Sequence, residues 1–374
     1  MTSGPRPGRE VAVVQSRVGV DGRSRVLATL IAMVNERGAT PDLLTFSPEQ
    51  EVERFRRFAG QPLAFVHRRM PRPPAARGYA LAELALPQII GRAFPAHRAY
   101  IALTDAPYHF PPTSHVLRYI AFPAHLARHI ESRYQRQPLR AYGAFVAWRY
   151  GRAAGHPFGP GTWVANSEFT RAAATGAYGL SPREIDTVYG PVDLTPGPEP
   201  ARKRAQVVSL GAFHPDKRQL DQIAVAASLP DVPFRMLGAI RSPRYFAACA
   251  ARASEVGNVE LVADASAATV RQALLHSAVF LHTKHNEHQG LSTVEGIASG
   301  CVPVVHDSGG QREVVPIPGL RFRTPQEAAA IIDRQVGEDG SPHLPELREH
   351  ARRFGAAAFR AGMARHVDAA LAAR

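Results

Sequence analysis

The sequence predicts an α/β protein built from two doubly wound, Rossmann-like domains. Three observations carry that expectation. At 374 residues the chain is too long for one ordinary core and long enough for two. Short apolar runs alternate with longer amphipathic stretches, the pattern of a parallel sheet covered by helices on both faces. The alternation is interrupted once, near residues 193–205, and then starts afresh.

VAVVQS reads as the first strand, and GRSRVLATLIAMVNERG as a helix that ends at Gly38. PDLLTF, LAFVHRR, RAYIALT, VLRYIAF, TWVANS and IDTVYGP read as further strands, with helical segments between most of them. DLTPGPEPARKRA packs three prolines and a glycine into a polar span, as a linker does. Beyond it AQVVSLG is a strand, KRQLDQIAVAASL a helix, PFRMLG a strand and YFAACAARASEVG a helix. VELVAD, VFLHTK and VPVVHD are strands, and the tail LPELREHARRFGAAAFRAGMARHVDAALAAR reads as helical to its end. The expected division is residues 1–195, residues 196–345 and a C-terminal helix over 346–374. No internal repeat or low-complexity tract interrupts it. Sheets of this kind bind ligands beyond the carboxyl ends of their strands, so two facing sheets would make a cleft.

Composition narrows the function classes. Hydrophobic residues make up 45% of the chain, but no apolar run approaches the ~18–20 residues of a membrane span. The opening MTSGPRPGRE lacks the apolar stretch of a secretory signal. The two cysteines, Cys249 and Cys301, form no CxxC, which fits a reducing compartment and not a zinc site. The expected location is cytoplasmic. Net charge is +13, and it is uneven. Residues 1–195 hold 24 basic and 14 acidic residues, a net +10; residues 196–374 hold 21 and 18, a net +3. Anionic partners follow: a membrane surface contacted peripherally, a phosphorylated acceptor, or nucleic acid. Only three lysines stand against 42 arginines, so codon usage is the competing source of the excess.

The stretch HTKHNEHQGLSTVEGIASG carries the chemistry. VFLHTK ends near Lys284, at the carboxyl edge of the second sheet. Glu287 falls in the loop after it. Gly290, Leu291, Ser292 and Thr293 open a helix that runs to about Gly300, with Pro303 just beyond. A helix opening presents free N–H groups and the positive end of the dipole, a natural seat for phosphate. Glu295 lies about five residues along, on the order of 7 Å. Carboxylates accept hydrogen bonds from sugar hydroxyls. A nucleotide sugar has hydroxyls on both sides of its diphosphate, so one glutamate can serve the hexose and the other the ribose. The plainer alternative is two solvated helix glutamates.

In SLGAFHPDKRQ a strand ends at Gly211, and Lys217 opens the next helix, placed to reach a diphosphate. In SRVGVDGRSR, Gly19 and Gly22 allow a tight loop near a ligand or an ordinary turn; GxGxxG is absent. No Asp-x-Asp, GxSxG, HExxH or GxxxxGK[ST] occurs. No metal and no bound cofactor are expected.

NEHQGLSTVEGIASGCVPVVHDSGGQREVV resembles the signature of the retaining glycosyltransferases of family 4, which have the GT-B fold and an E-x7-E motif. Its motifs are nearest to those of the mannosyltransferases that extend the dolichol-linked oligosaccharide. SLGAFHPDKRQ, VANSEFTRA with VYGPVD and, more loosely, YIAFP extend the resemblance. It covers the second domain well and the first in patches.

The resemblance implies that Glu287 binds donor-sugar hydroxyls, that Gly290, Leu291 and Ser292 offer backbone N–H groups to sugar and diphosphate, and that Glu295 binds the ribose. Lys217 would hold the departing diphosphate. Val262 and Ala263 would lie near the base, and the final helix would return to the first domain. Two positions depart from the pattern. Ala212 and His214 stand where relatives carry an arginine, leaving His214 or Arg218 to supply a second cation. Ala121-Phe122-Pro123 replaces a His-Tyr-Pro. The expected enzyme is a retaining, metal-independent hexosyltransferase, with GDP-mannose as the donor of choice. Its acceptor would be a small molecule, a lipid carrier or RNA. The rivals are transfer to nucleic acid, such as a modified tRNA nucleoside, and a non-catalytic nucleotide-sugar-binding protein.

Overall fold

In the computed structural model of the chain, the described residues are 10–71, 97–103, 110, 114–123, 126, 161–195, 197–198, 200, 203–336 and 341–372. They form two α/β units, each with an all-parallel sheet. The first unit comprises residues 1–129, 134–191 and 357–374; the second comprises 130–133 and 192–356.

The first unit has strands β1 (Val11–Val14), β2 (Asp42–Thr45), β3 (Val66–Arg69), β4 (Ala99–Leu103), β5 (His115–Ile120), β6 (Gly161–Ala165) and β7 (Ile185–Thr187). Their spatial order is β3-β2-β1-β4-β5-β6-β7. β1, β2 and β4 are buried along their whole length, which is why β1 and β4 are apolar without alternation; β2 adds buried Asp42 and Thr45 at its ends. Helix α1 (Gly22–Asn35) starts where the Asp21 carboxylate accepts from Ser24 N–H at 2.9 Å. Its Leu27, Leu30, Ile31 and Val34 are fully buried. Helices α2 (Glu49–Ala59) and α3 (Glu168–Tyr178) each end on a left-handed glycine, Gly60 and Gly179.

The second unit has strands β8 (Arg204–Leu210), β9 (Phe234–Gly238), β10 (Val259–Ala263), β11 (Ser277–His282), β12 (Val302–His306) and β13 (Arg321–Phe322). Between them lie α4 (Gln219–Ala227), α5 (Pro243–Val256), α6 (Ala267–His276), α7 (Leu291–Ala298) and the short α8 (Gln311–Val314). Helices α9 (Pro325–Val336) and α10 (Leu344–Ala351) follow β13. The spatial order β10-β9-β8-β11-β12-β13 reverses direction between β8 and β11. That reversal is where an open α/β sheet leaves a crevice for ligands. Apolar packing beneath it joins Val208, Leu237, Leu274, Phe280 and Cys301. Both cysteines are buried and neither forms a disulfide.

Two local expectations are corrected. Lys217 does not open an α-helix. It ends a 3₁₀ turn, Pro215–Lys217, and Arg218 takes a left-handed conformation (φ +56°) before α4 begins at Gln219. The tail is not one helix either. α10 gives way to a 3₁₀ turn at Arg352–Phe354, and Gly355 is extended and bridges to Val192. The last helix, α11 (Ala356–Ala372), packs Phe359, Met363, Val367 and Ala370 into the core of the first unit. Its surface is tied there by ion pairs of Arg360 with Glu36, Asp368 with Arg37 and Arg365 with Asp186.

Candidate active site

The loops after β8 and β11 leave the sheet at its reversal point, and they bring Lys217 to Glu287. Lys217 Nζ donates to Glu287 Oε2 at 2.8 Å. The lysine stem runs along the Cα of Gly211 at the end of β8, with Cδ 3.7 Å from where a Cβ would sit. The turn carrying Lys217 is held from below by buried side chains. Ser209 donates to Gln222, Gln222 donates to Thr283, and the Thr283 hydroxyl bonds the carbonyls of Lys217 and Arg218 at 3.2 and 3.1 Å. β8, α4 and β11 thus fix one residue between them.

Glu287 is a crowded carboxylate, with 12% of its side chain exposed. Lys284 Nζ faces Oε1 at 3.4 Å, the His288 N–H donates to Oε1 at 3.0 Å, and His282 Nε2 lies 3.5 Å from Oε2. Burial works against its charge, but Lys217, Lys284 and His282 outweigh burial and hold the carboxyl well below the usual carboxylate range. His282, buried at the end of β11, is pushed down by burial, against the pull of Glu287, and so stays neutral near pH 7.

The loop 286–289 is clamped by the segment after β12. Asn286 N–H donates to Ser308 Oγ at 2.8 Å, and Gly310 N–H donates to Glu287 O at 2.7 Å. A Cβ on Gly309 would lie 2.6 Å from Glu287 O, and one on Gly310 2.4 Å from His288 O. The Ser-Gly-Gly run is therefore a close backbone approach. His285 stacks on His306 with ring centroids 3.7 Å apart, and His306 Nδ1 bonds Ser308 Oγ.

Gly290 is left-handed at φ +96° and opens α7. Its carbonyl receives Thr293 and Val294 N–H, so the N–H groups of Leu291 and Ser292 stand ahead of the first intrahelical bond. A Cβ on Gly290 would meet Gln311 Oε1 at 2.9 Å; packing against that buried side chain, as well as φ, requires glycine here. Gln311 in turn donates to Thr293 Oγ1 at 3.0 Å. Glu295 is half-buried on α7.

The other expected residues lie on the same turn as Lys217, on β10 and in the first unit. His214 Nδ1 caps the 3₁₀ turn and lies 3.1 Å from Asp216 Oδ2, and Arg218 pairs with Asp221 at 2.6 Å. Val262 and Ala263 end β10, two strands from β8, roughly 10 Å away. Gly19 and Gly22 belong to the first unit, where Gly19 N–H donates to Ser24 Oγ at the start of α1. Lys284, His282 and Gln311 were missed as site residues in the sequence. Lys284 had a signal, as one of three lysines placed three residues before Glu287.

The chain is similar in sequence and in fold to known proteins. Residues 196–326 match the model of the family described as Glycosyl transferases group 1. A Mus musculus relative, "GDP-Man:Man(3)GlcNAc(2)-PP-Dol alpha-1,2-mannosyltransferase", is 29% identical over 127 residues, 30% of this chain and 26% of the relative. The chain thus aligns with about a quarter of that protein. Sucrose-phosphate synthase from Thermosynechococcus elongatus superposes with a TM-score of 0.75 at 13% identity, covering 98% of this chain and 100% of the other. Anabaena Alr3699/HepE, solved with UDP and glucose, gives 0.70 at 14% identity, covering 96% and 100%. The two parallel α/β units accordingly have the GT-B fold, and the second contains the stretch that matches the group 1 glycosyl transferase model.

Proposed function

We propose that the chain is a retaining, metal-independent glycosyltransferase. It moves a hexose, mannose in the first instance, from a nucleotide sugar to a small molecule, a lipid carrier or RNA. GDP-mannose is the first donor to try, because the mouse relative is named for it. The observation that supports this best is Lys217 meeting Glu287 at 2.8 Å at the strand-order reversal, immediately before a glycine-opened helix.

The donor's diphosphate would lie at the N–H groups of Leu291 and Ser292, within reach of Lys217. As the glycosidic bond to phosphate breaks, negative charge grows on the nucleoside diphosphate. Preoriented amides and an ammonium stabilise that charge more than they stabilise the ground state. Both oxygens of Glu287 are occupied by cations and an N–H. Such a carboxylate is a poor nucleophile and a good fixed acceptor for sugar hydroxyls. Attack by the acceptor on the face the leaving group departs from then gives retention without a covalent intermediate. Glu295 takes the ribose, and Val262 with Ala263 borders the base.

The protein works in the cytoplasm, at or near an anionic membrane face if its acceptor is lipid-borne. Among the described residues no helix is long and apolar enough to cross a membrane.

A panel of nucleotide sugars, screened by thermal shift and then by product analysis, tests this reading. GDP-mannose should raise the melting temperature and release GDP, and the anomeric proton of the transferred sugar should report retention. Binding without any release of nucleoside diphosphate would leave a binding protein. Acceptor binding that falls steeply with salt would favour RNA.

A further inference from the structure

Against 42 arginines the chain has three lysines, and each ammonium sits in a defined polar site. Lys203 Nζ donates to Leu275 O and Ser299 O, both at 2.7 Å, at the C-terminal ends of α6 and α7. The other two meet on one carboxylate. Lys217 takes Glu287 Oε2 and Lys284 faces Oε1, at 2.8 and 3.4 Å. The Lys284 side chain is 13% exposed.

We propose that Lys284 is a positioning cation of this site: by holding Glu287, it leaves Lys217 able to be shared with the diphosphate of a nucleoside-diphosphate donor. The proposal rests on the donor reading above and adds a residue that has no part in the family resemblance. Charge counting carries it. Lys217 and ionised Glu287 sum to zero, and neutral His282 adds nothing. An incoming diphosphate would then compete with Glu287 for a single ammonium. Taking one partner from a buried ion pair strands the other charge, which is strongly unfavourable. With Lys284 and the His288 N–H on Oε1, Glu287 keeps its partners when Lys217 turns to phosphate. The site also keeps a surplus of one positive charge for an anionic leaving group.

The test is calorimetric titration of GDP and UDP into the parent, Lys284→Met and Lys284→Arg, at low and high salt and across pH. Lys284→Met should lower affinity for the nucleotide the parent binds by at least ~10-fold, the scale of a lost charged hydrogen bond. Its salt dependence should flatten. The deficit should shrink on acidification, because Glu287, with a cation gone, takes its proton at higher pH and releases Lys217 to the phosphate. Lys284→Arg should restore most of the affinity. Parent-like affinity and salt slope in Lys284→Met would overturn the proposal, and so would an equal loss in both variants. If the parent binds neither nucleotide, the donor reading falls and this proposal with it, a different result from an unchanged variant. Should Lys284→Met not fold, Lys284→Gln is measured against the same criteria.

Discussion

At the scale of single residues, the site is set by which charges meet. Glu287, Lys217 and Glu295 were legible in the sequence as donor-site candidates, because strand, loop and helix signals placed them at one sheet edge. Their partners were not. That Lys284 and His282 surround Glu287 depends on how β11 and the loop after it fold together, and spacing does not encode that. Glu295→Ala should weaken nucleoside diphosphate binding by ~1–3 kcal/mol, measured by calorimetry; unchanged affinity would remove Glu295 from the ribose. The stacked pair His285–His306 makes a stability prediction. Burial, with help from His285 and Arg218 and against Asp307 and Asp221, pushes the His306 pKa from 6.5 down to about 4. The unfolded chain therefore takes the proton first. Stability from neutral His306 is full above pH 6.5 and is lost as pH falls toward 4. His306→Asn should lose less stability than the parent over that window in urea titrations. Parallel curves would mean that this stack does not titrate with folding.

At the scale of elements the strands were the readable part, since buried parallel strands are continuous apolar runs. Irregular turns were not readable. Arg218 is left-handed without being glycine, which splits Lys217 from α4. Gly355 looked like an ordinary position in a helical tail, yet it is extended and paired with Val192, so α11 leaves its neighbours and joins the first unit's core. The helix that carries the proposed phosphate end lies unusually close to its sheet. A Cβ on Gly296, in the middle of α7, would sit 2.7 Å from the Phe280 ring on β11. Gly296→Ala should therefore destabilise, despite alanine's better helix propensity, by about 1–3 kcal/mol for overpacking. A urea midpoint at or above the parent's would show that β11 yields without cost.

At the scale of the whole molecule, experiment decides what the basic half meets and which sugar is transferred. The fold class was legible from the alternation of runs alone, while the acceptor was not. Within the +10 of residues 1–195, Arg68, Arg69, Arg72 and Arg77 cluster around the proline-rich MPRPPAARG. Arg68 faces Asp42 at 3.4 Å, and Arg69 is exposed at the end of edge strand β3; Arg72 and Arg77 lie outside the described residues. If the excess serves an anionic acceptor, an Arg69, Arg72 and Arg77→Gln triple variant should lose acceptor affinity and its salt dependence while nucleotide affinity stays. Matching salt slopes would leave codon usage as the account of that charge.

The central claim is that Lys217, beside Glu287, draws a nucleoside diphosphate off a sugar. Release of nucleoside diphosphate from a panel of nucleotide sugars, in parent and Lys217→Ala protein of equal folded content, tests it most directly. The parent should turn over at least one donor, and Lys217→Ala should be slower by ~100-fold or more, as when one preorganised transition-state donor is lost. No release by the parent from any donor, or near-parental release by folded Lys217→Ala, would contradict it.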